Sequence, residues 1–354
     1  MNIIATAEMG PGTFEAKFVP LSKSDYIKQI WVIRKTAGPE IDKVQYIIVP
    51  KLFHGKILGL LARPLMLVWY TIKLRANVIL AYHFIPHAFF AYFASIITGK
   101  PYIICQTGLY IQRYFQKNKF SSWLVKKVIS SALFLNVPGN RSLEFWVSNG
   151  VPKSKVNVLH STIDTNFFKP DPNIKKEYDF IILSRLAKEK RVDIIIELLS
   201  QLKNKGYKFK AVIVGDGPEM SSLRKQVERE NLNDFIEFVG FQKDTNKWFN
   251  LAKYYLMYSE SEGLPTSLMQ AMSCGLIPVV TNVGNISDLV NEKTGFLQNF
   301  DNPIEFLKTL EFLLSSQDKT LLQNYSLECR NIIIKEHSYE SAQKKWESIL
   351  EKIN

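Results

Sequence analysis

Residues 259–280, SESEGLPTSLMQAMSCGLIPVV, set a carboxylate, Glu262, and a glycine, Gly263, just ahead of a helix that Pro265 is suited to start. The amides of Gly263, Thr266, Ser267 and Leu268 would then be first-turn donors, free to hold the oxygens of a phosphate or a sugar. Thr266 and Gln270 are four apart and share one helical face. The same residues admit a structural role, with Glu262 capping the helix through its carboxylate and Gln270 lying on the surface.

Upstream, RLAKEKRVD follows an apolar run and places Arg185 and Lys190 ahead of a helix beginning near Val192. Two cations there make a diphosphate clamp, because the helix dipole already favours an anion. With Lys188 and Arg191 they would equally form a solvated basic turn. After KAVIVGDG, Gly215 and Gly217 allow close backbone approach and Pro218 can start a helix, which also describes an ordinary strand-to-helix turn. IEFVGF ends on Gly240 and Phe241, where a flat nucleobase would find exposed backbone groups and a ring.

The elements that must position these residues are legible as alternating short apolar runs and helical stretches. NIIATA, QIWVIR, VQYIIVP, VILAYH, PYIICQT, LFLNV and VNVLH occupy the first half; YDFIILS, KAVIVGDG, IEFVGF, YYLMYSES, IPVVTN and GFLQ occupy the second. Such alternation predicts an α/β protein of two doubly wound domains with parallel sheets covered on both faces. Prolines and charges in FFKPDPNIKKEYD put the boundary near residue 172. The expected domains are 1–172 and 173–337, with 338–354 a separate terminal helix for which the first domain is a candidate docking surface. Ligands of open α/β sheets settle at the carboxyl ends of strands, so two such domains are expected to face each other across a cleft lined by those ends.

The 354 residues suit two domains, and 46% hydrophobic with 22% charged content is that of a folded chain. A net charge of +12 favours anionic partners. Without a zinc-finger spacing, an arginine-glycine tract or an isolated basic helix, nucleic acid is not among the expected ones. Cys105, Cys274 and Cys329 are odd in number and far apart, which predicts unpaired thiols in a reducing cytoplasm. No basic region precedes the apolar NIIATA, so no secretory signal is expected. ILGLLARPLMLVWYTIKL is broken by Arg63-Pro64 and FIPHAFFAYFASIITG by Pro86 and His87, so neither reads as a transmembrane span.

Taken in order, VLHSTIDTNFFKP, SRLAKEKRVD, VIVGDGPEMSSL, IEFVGF and YSESEGLPTSLMQAMSCGLIPVVTNVGNISDLVNEKTGFL resemble the retaining GT-B glycosyltransferases of family four. The resemblance covers nearly all of the second domain. It implies a GT-B fold of two Rossmann-like domains and a nucleotide-sugar co-substrate, UDP- or GDP-linked, with no cofactor and no metal. By the same resemblance Arg185 and Lys190 hold the donor diphosphate, Glu262 touches the sugar ring, and position 270 hydrogen-bonds the ribose. Catalysis would rest on stabilising the departing nucleoside diphosphate with cations and amides, with retention at the anomeric carbon. Gln270 departs from the pattern, which carries a carboxylate there.

The first domain matches more loosely. MGPGTFE looks like the family's glycine-rich loop, its Gly10 and Gly12 letting backbone approach the donor phosphates or the acceptor. It is not a dinucleotide fingerprint, since Glu15 stands where a third glycine is needed. His83, Gln106 and Thr107 follow strands and are candidates for the acceptor and sugar side, Thr107-Gly108 standing where many relatives carry His-Gly. A histidine in an apolar segment is also a common structural group. The implied activity is sugar transfer to a saccharide or lipid-linked acceptor in surface polysaccharide synthesis; the alternative is a GT-B-like saccharide-binding or partner subunit without turnover. QRYFQKNKFSSWLVKKVISS places Phe120, Trp123, Leu124 and Val128 at helical spacing among lysines, either a helix for an anionic membrane surface or a core helix with a charged outer face. With the apolar stretch around LLARPLMLVWYTIK, this points to a cytoplasmic protein held peripherally on the inner face of the membrane.

Overall fold

The computed structural model describes residues 1–108 and 110–353, which divide into two units. In the first, Met1–Thr162 with the segment from Tyr339 onward, the strands are β1 (Asn2–Thr6), β2 (Gln29–Arg34), β3 (Val44–Ile48), β4 (Val78–Tyr82), β5 (Tyr102–Cys105), β6 (Phe134–Val137) and β7 (Val156–Val158). They alternate with helices α1 (Pro11–Ser22), α2 (Lys56–Lys73), α3 (Phe89–Thr98), α4 (Tyr110–Gln116), α5 (Lys119–Ser131) and α6 (Asn140–Ser148). In the second, Ile163–Ser338, strands β8 (Tyr178–Leu183), β9 (Ala211–Val214), β10 (Ile236–Gly240), β11 (Ala252–Met257), β12 (Ile277–Thr281) and β13 (Phe296–Gln298) alternate with α7 (Val192–Asn204), α8 (Met220–Arg229), α9 (Thr245–Leu251), α10 (Thr266–Ser273), α11 (Pro303–Ser315) and α12 (Lys319–His337). The last helix, α13 (Tyr339–Glu351), returns to the first unit.

Both sheets are parallel throughout, in the orders β3-β2-β1-β4-β5-β6-β7 and β10-β9-β8-β11-β12-β13. Helices cover both faces, so strands such as β4 (VILAY) and β12 (IPVVT) are buried at every position and read as unbroken apolar runs. In each sheet the strand order reverses once, between β1 and β4 and between β8 and β11. A crevice opens at such a reversal because the connections on its two sides run away from each other.

The first unit ends at Thr162 rather than at residue 172. Past that point the chain is tied to the second unit despite its prolines: Ile163 N donates to His337 O (2.9 Å), Asp171 N donates to Asn250 Oδ1 (2.8 Å), and Asn250 Nδ2 donates to Lys169 O (3.0 Å). In the first unit, α13 buries Ala342, Trp346, Ile349 and Leu350 in one cluster with Phe14, Phe18 and Leu21 of α1. All three cysteines are buried and unpaired, and burial pushes the Cys105 thiol up to about 12.

One charge sits badly in this core. Lys17 of α1 is buried, its Nζ donates to Ser161 Oγ (3.2 Å), and burial lowers its pKa from 10.5 to about 8. Between those values the unfolded chain holds more protons than the folded one, so stability rises with pH across the window and the penalty is complete below pH 8. Lys17→Met is therefore expected to raise stability at pH 7 by about 1 to 3 kcal/mol. It should also flatten the rise between pH 8 and 10.5, both read from denaturant unfolding at several pH values.

Candidate functional site

In the second unit a cavity of about 740 Å³ opens at the carboxyl ends of β8, β9 and β11, beside the strand reversal. Arg185, Lys190, Glu262, Thr266, Ser267, Gln270 and Phe241 all line it, although the chain separates the first from the last by 85 positions. Its centre is an ion pair: Lys190 Nζ lies 2.5 Å from Glu262 Oε1, with the two side chains only 21% and 10% exposed. Partial burial strengthens such a pair, because less water screens it. Glu262 does not cap α10; the N-cap is Pro265, with extended backbone (ψ 126°) and no side-chain bond, so Pro265 precedes the first helical position. Met269 N makes the first bond back, to Pro265 O, which leaves the Thr266, Ser267 and Leu268 amides at the open end of the helix.

Arg185 behaves differently from its neighbours. It is 68% exposed and pairs with Glu189 one turn on, Nη2 to Oε1 at 2.7 Å. Glu189's own backbone amide, and then Arg185, hold that carboxyl below its usual range. An exposed pair of this kind is weak and is readily exchanged for a phosphate. Arg191, by contrast, is committed, its guanidinium held by Asp193 (3.1 Å) and Glu260 (3.0 Å). Of the cations in this turn, Arg185 and Lys190 line the cavity, while Lys188 and Arg191 do not.

Tyr255 and Ser184, which sequence reasoning passed over, help to build the wall behind them. The Tyr255 hydroxyl lies 2.8 Å from Ser267 Oγ and 3.4 Å from the Leu183 carbonyl, joining the first turn of α10 to the end of β8; burial raises its pKa, so the phenol stays protonated. Ser184 Oγ is buried on the cavity wall and has no hydrogen-bond partner among the described residues. Gly215 lines the cavity, but a Cβ there, at φ 143°, would stand 1.9 Å from the Ser184 carbonyl oxygen, so its freedom serves the packing of β9 against β8. Gly263 and Leu268 stand behind the wall, the first accepting from Asn285 N (3.0 Å), the second with its side chain in the core. Gly240 accepts from Gly215 N (2.8 Å), and the ring beside the cavity is that of Phe241, which is 77% exposed.

The first unit has a cavity of its own, about 440 Å³, lined by Glu8, Lys35, Arg63, His83, Ile85 and His87. His83 and Thr107 come together, Nδ1 to Oγ1 at 2.5 Å, with His83 in the left-handed region at φ 67°. Burial lowers the His83 pKa, and burial with His83 and Arg63 nearby pushes His87 down to about 3, so His87 is neutral at physiological pH. Its Nδ1 lies 2.6 Å from Thr6 Oγ1. Glu8 accepts from Lys35 N at 2.8 Å and stands 3.7 Å from Arg63 Nη1. Gln106 is spent on structure, donating to Gly108 O (2.7 Å) and accepting from Trp146 Nε1 (2.8 Å). Gly10 is the N-cap of α1 and Gly12 lies in its first turn; neither lines the cavity. The signal that would have found Arg63 was a single cation inside an apolar run.

On α5, Val128 belongs to the core with Val125 and Ile129, while Phe120 and Trp123 are outside. The four apolar residues expected on one face are thus split, because the helix buries one side against the sheet. Among the described residues no helix is long and apolar enough to cross a membrane.

Two parallel-sheet α/β units of this topology define the GT-B fold. The chain superposes on a glycosyltransferase from Rickettsia africae with a TM-score of 0.83 at 14% identity, covering 99% of this chain and 98% of that one. It superposes on Anabaena Alr3699/HepE in complex with UDP with a TM-score of 0.79 at 17% identity, covering 99% of both. Residues 164–329 match the family described as glycosyl transferases group 1. Over 160 residues the chain is 32% identical to the putative colanic acid biosynthesis glycosyltransferase WcaL of Escherichia coli, covering 42% of this chain and 39% of that protein. Over 156 residues it is 28% identical to the N-acetyl-alpha-D-glucosaminyl L-malate synthase of Bacillus anthracis, covering 41% of each. The alignments thus span about two fifths of these relatives' length. Together these similarities show the GT-B fold for the chain and a likeness of residues 164–329 to the glycosyl transferases group 1.

Proposed function

We propose that the chain is a retaining, metal-independent glycosyltransferase that moves a sugar from a UDP- or GDP-sugar onto a saccharide or lipid-linked acceptor in the building of a surface glycan. It would work as a peripheral protein on the cytoplasmic face of the membrane. The observation that carries this reading is the Lys190–Glu262 pair, standing with Arg185 beside the open first turn of α10 in one cavity. There Lys190 and Arg185 would take the diphosphate and the α10 amides would share its charge, so the departing nucleoside diphosphate is stabilised as the glycosidic bond breaks. Glu262 would be left to hold sugar hydroxyls, Gln270 the ribose, and Phe241 the base. A UDP donor is favoured by the structurally similar Alr3699/HepE, which was solved with UDP and with UDP-glucose.

Calorimetry with UDP-, GDP- and ADP-sugars tests the reading. Saturable binding of one of them is expected, and failure of all three would remove it; binding without turnover onto any acceptor would favour a saccharide-binding partner subunit. Gln270→Glu is expected to strengthen donor binding by about 1 kcal/mol, since a carboxylate accepts from two vicinal hydroxyls more strongly than an amide. An unchanged affinity would take position 270 off the ribose.

A further inference from the structure

The charge of this chain is concentrated in one stretch. Residues 43–143 hold 13 of the 45 Lys and Arg and none of the 33 Asp and Glu, which leaves the remainder, with 32 basic and 33 acidic residues, near neutrality. That stretch also carries the first unit's exposed apolar side chains. On α2, Ile57, Leu61, Leu65, Trp69 and Ile72 recur every three or four residues and are each 59–77% exposed. Leu67, on the opposite side of the helix, enters the core, and Arg63 lines the first-unit cavity with a side chain only 11% exposed. Helix α3 packs against α2 and adds exposed Ile96 and Ile97; α5 adds Phe120 and Trp123, stacked at 6.1 Å, with Lys127 Nζ 5.3 Å from the Trp123 ring. An apolar stripe this exposed, in a stretch whose only charges are cationic, is not left bare in water without cause.

We propose that this face seats in the surface of an anionic bilayer, with α2 lying in the plane of the interface and its outer stripe among the acyl chains. A helix whose outer side is apolar, in a stretch whose only charges are cationic, suits that position, and anionic headgroups supply the counter-charge that the stretch itself lacks. A second copy of the chain would bring two acid-free cationic faces together, which like-charge repulsion opposes. Resting on the transfer reading, a consequence follows for the acceptor: it is lipid-linked, standing in the bilayer, because α2 presents its outer side to lipid and with Arg63 walls the cavity on its inner side.

Sedimentation of the full chain with vesicles tests the docking. Binding is expected to vesicles of phosphatidylglycerol mixed with phosphatidylcholine, weaker binding to phosphatidylcholine alone, and loss as salt is raised. Leu61→Glu combined with Trp69→Glu is expected to weaken vesicle binding more than about tenfold. The circular dichroism spectrum and the unfolding transition of the first unit should stay unchanged in that variant, which shows that the unit carrying α2 is folded. Equal vesicle binding by the variant would overturn the proposal, as would a stable dimer in solution that the same substitutions dissociate. In a transfer assay, label from a UDP-sugar should appear in the organic extract of membranes; label confined to water-soluble saccharide would overturn the acceptor assignment. Because vesicle binding needs no turnover, its failure leaves the transfer reading standing, and failure to bind any donor leaves the docking result standing.

Discussion

Lys190→Ala is expected to lower kcat/KM for sugar transfer by a factor on the order of 100 to 1000, the range for losing one preorganised contact to developing charge. Two effects add. The departing diphosphate loses a cation, and Glu262, with a side chain only 10% exposed, loses the ammonium that lies 2.5 Å away. A carboxylate left unpaired so close to the phosphates would repel them, so the variant suffers more than a neutral gap would imply. Arg185→Ala should cost less, because Arg185 is 68% exposed and its pair with Glu189 is screened. Steady-state kinetics with calorimetry of UDP binding distinguish the two. If Lys190→Ala retained near-normal kcat/KM, the ammonium would have no part in the chemistry.

Gly284→Ala is expected to cost about 3 kcal/mol and to lower the unfolding temperature of the second unit by roughly 5 to 10 °C. At φ 60°, a Cβ on Gly284 would stand 2.0 Å from the Glu262 carbonyl oxygen and 2.8 Å from that of Gly263. Those are backbone atoms and cannot swing aside as a side chain can. The turn that carries Glu262 would have to move, so donor affinity should fall together with stability. Scanning calorimetry and UDP titration of one preparation decide the matter: a variant with normal melting and normal binding would mean that the turn is not pinned there.

The strands were legible because parallel strands covered on both faces must be apolar at almost every position, as β4 and β12 are. The cations after β8 and the carboxylate after β11 could be named because ligands collect where strands end. That Lys190 and Glu262 form a pair could not be read, since they are 72 residues apart and only the adjacency of β8 and β11 brings them together. Gly284 was silent for the same reason: its neighbour in space is a carbonyl, and carbonyls are invisible in a sequence. The segment around Pro170 and Pro172 looked like a linker by composition, yet its bonds are to Asn250, far along the chain. Phe120 and Val128 share a spacing but not a surrounding, because periodicity places residues on a helix without saying which side meets the sheet.

The return of α13 to the first unit sets an order of events during synthesis. Trp346 and Leu350 complete the cluster around Phe14 and Phe18, but residues 163–338, which form the second unit, must leave the ribosome before they do. The unit translated first therefore matures last. Until α13 emerges, the aromatic side chains of α1 lack their cover and are open to chaperones and to wrong partners, while the second unit, continuous in sequence, needs nothing beyond itself to close its core.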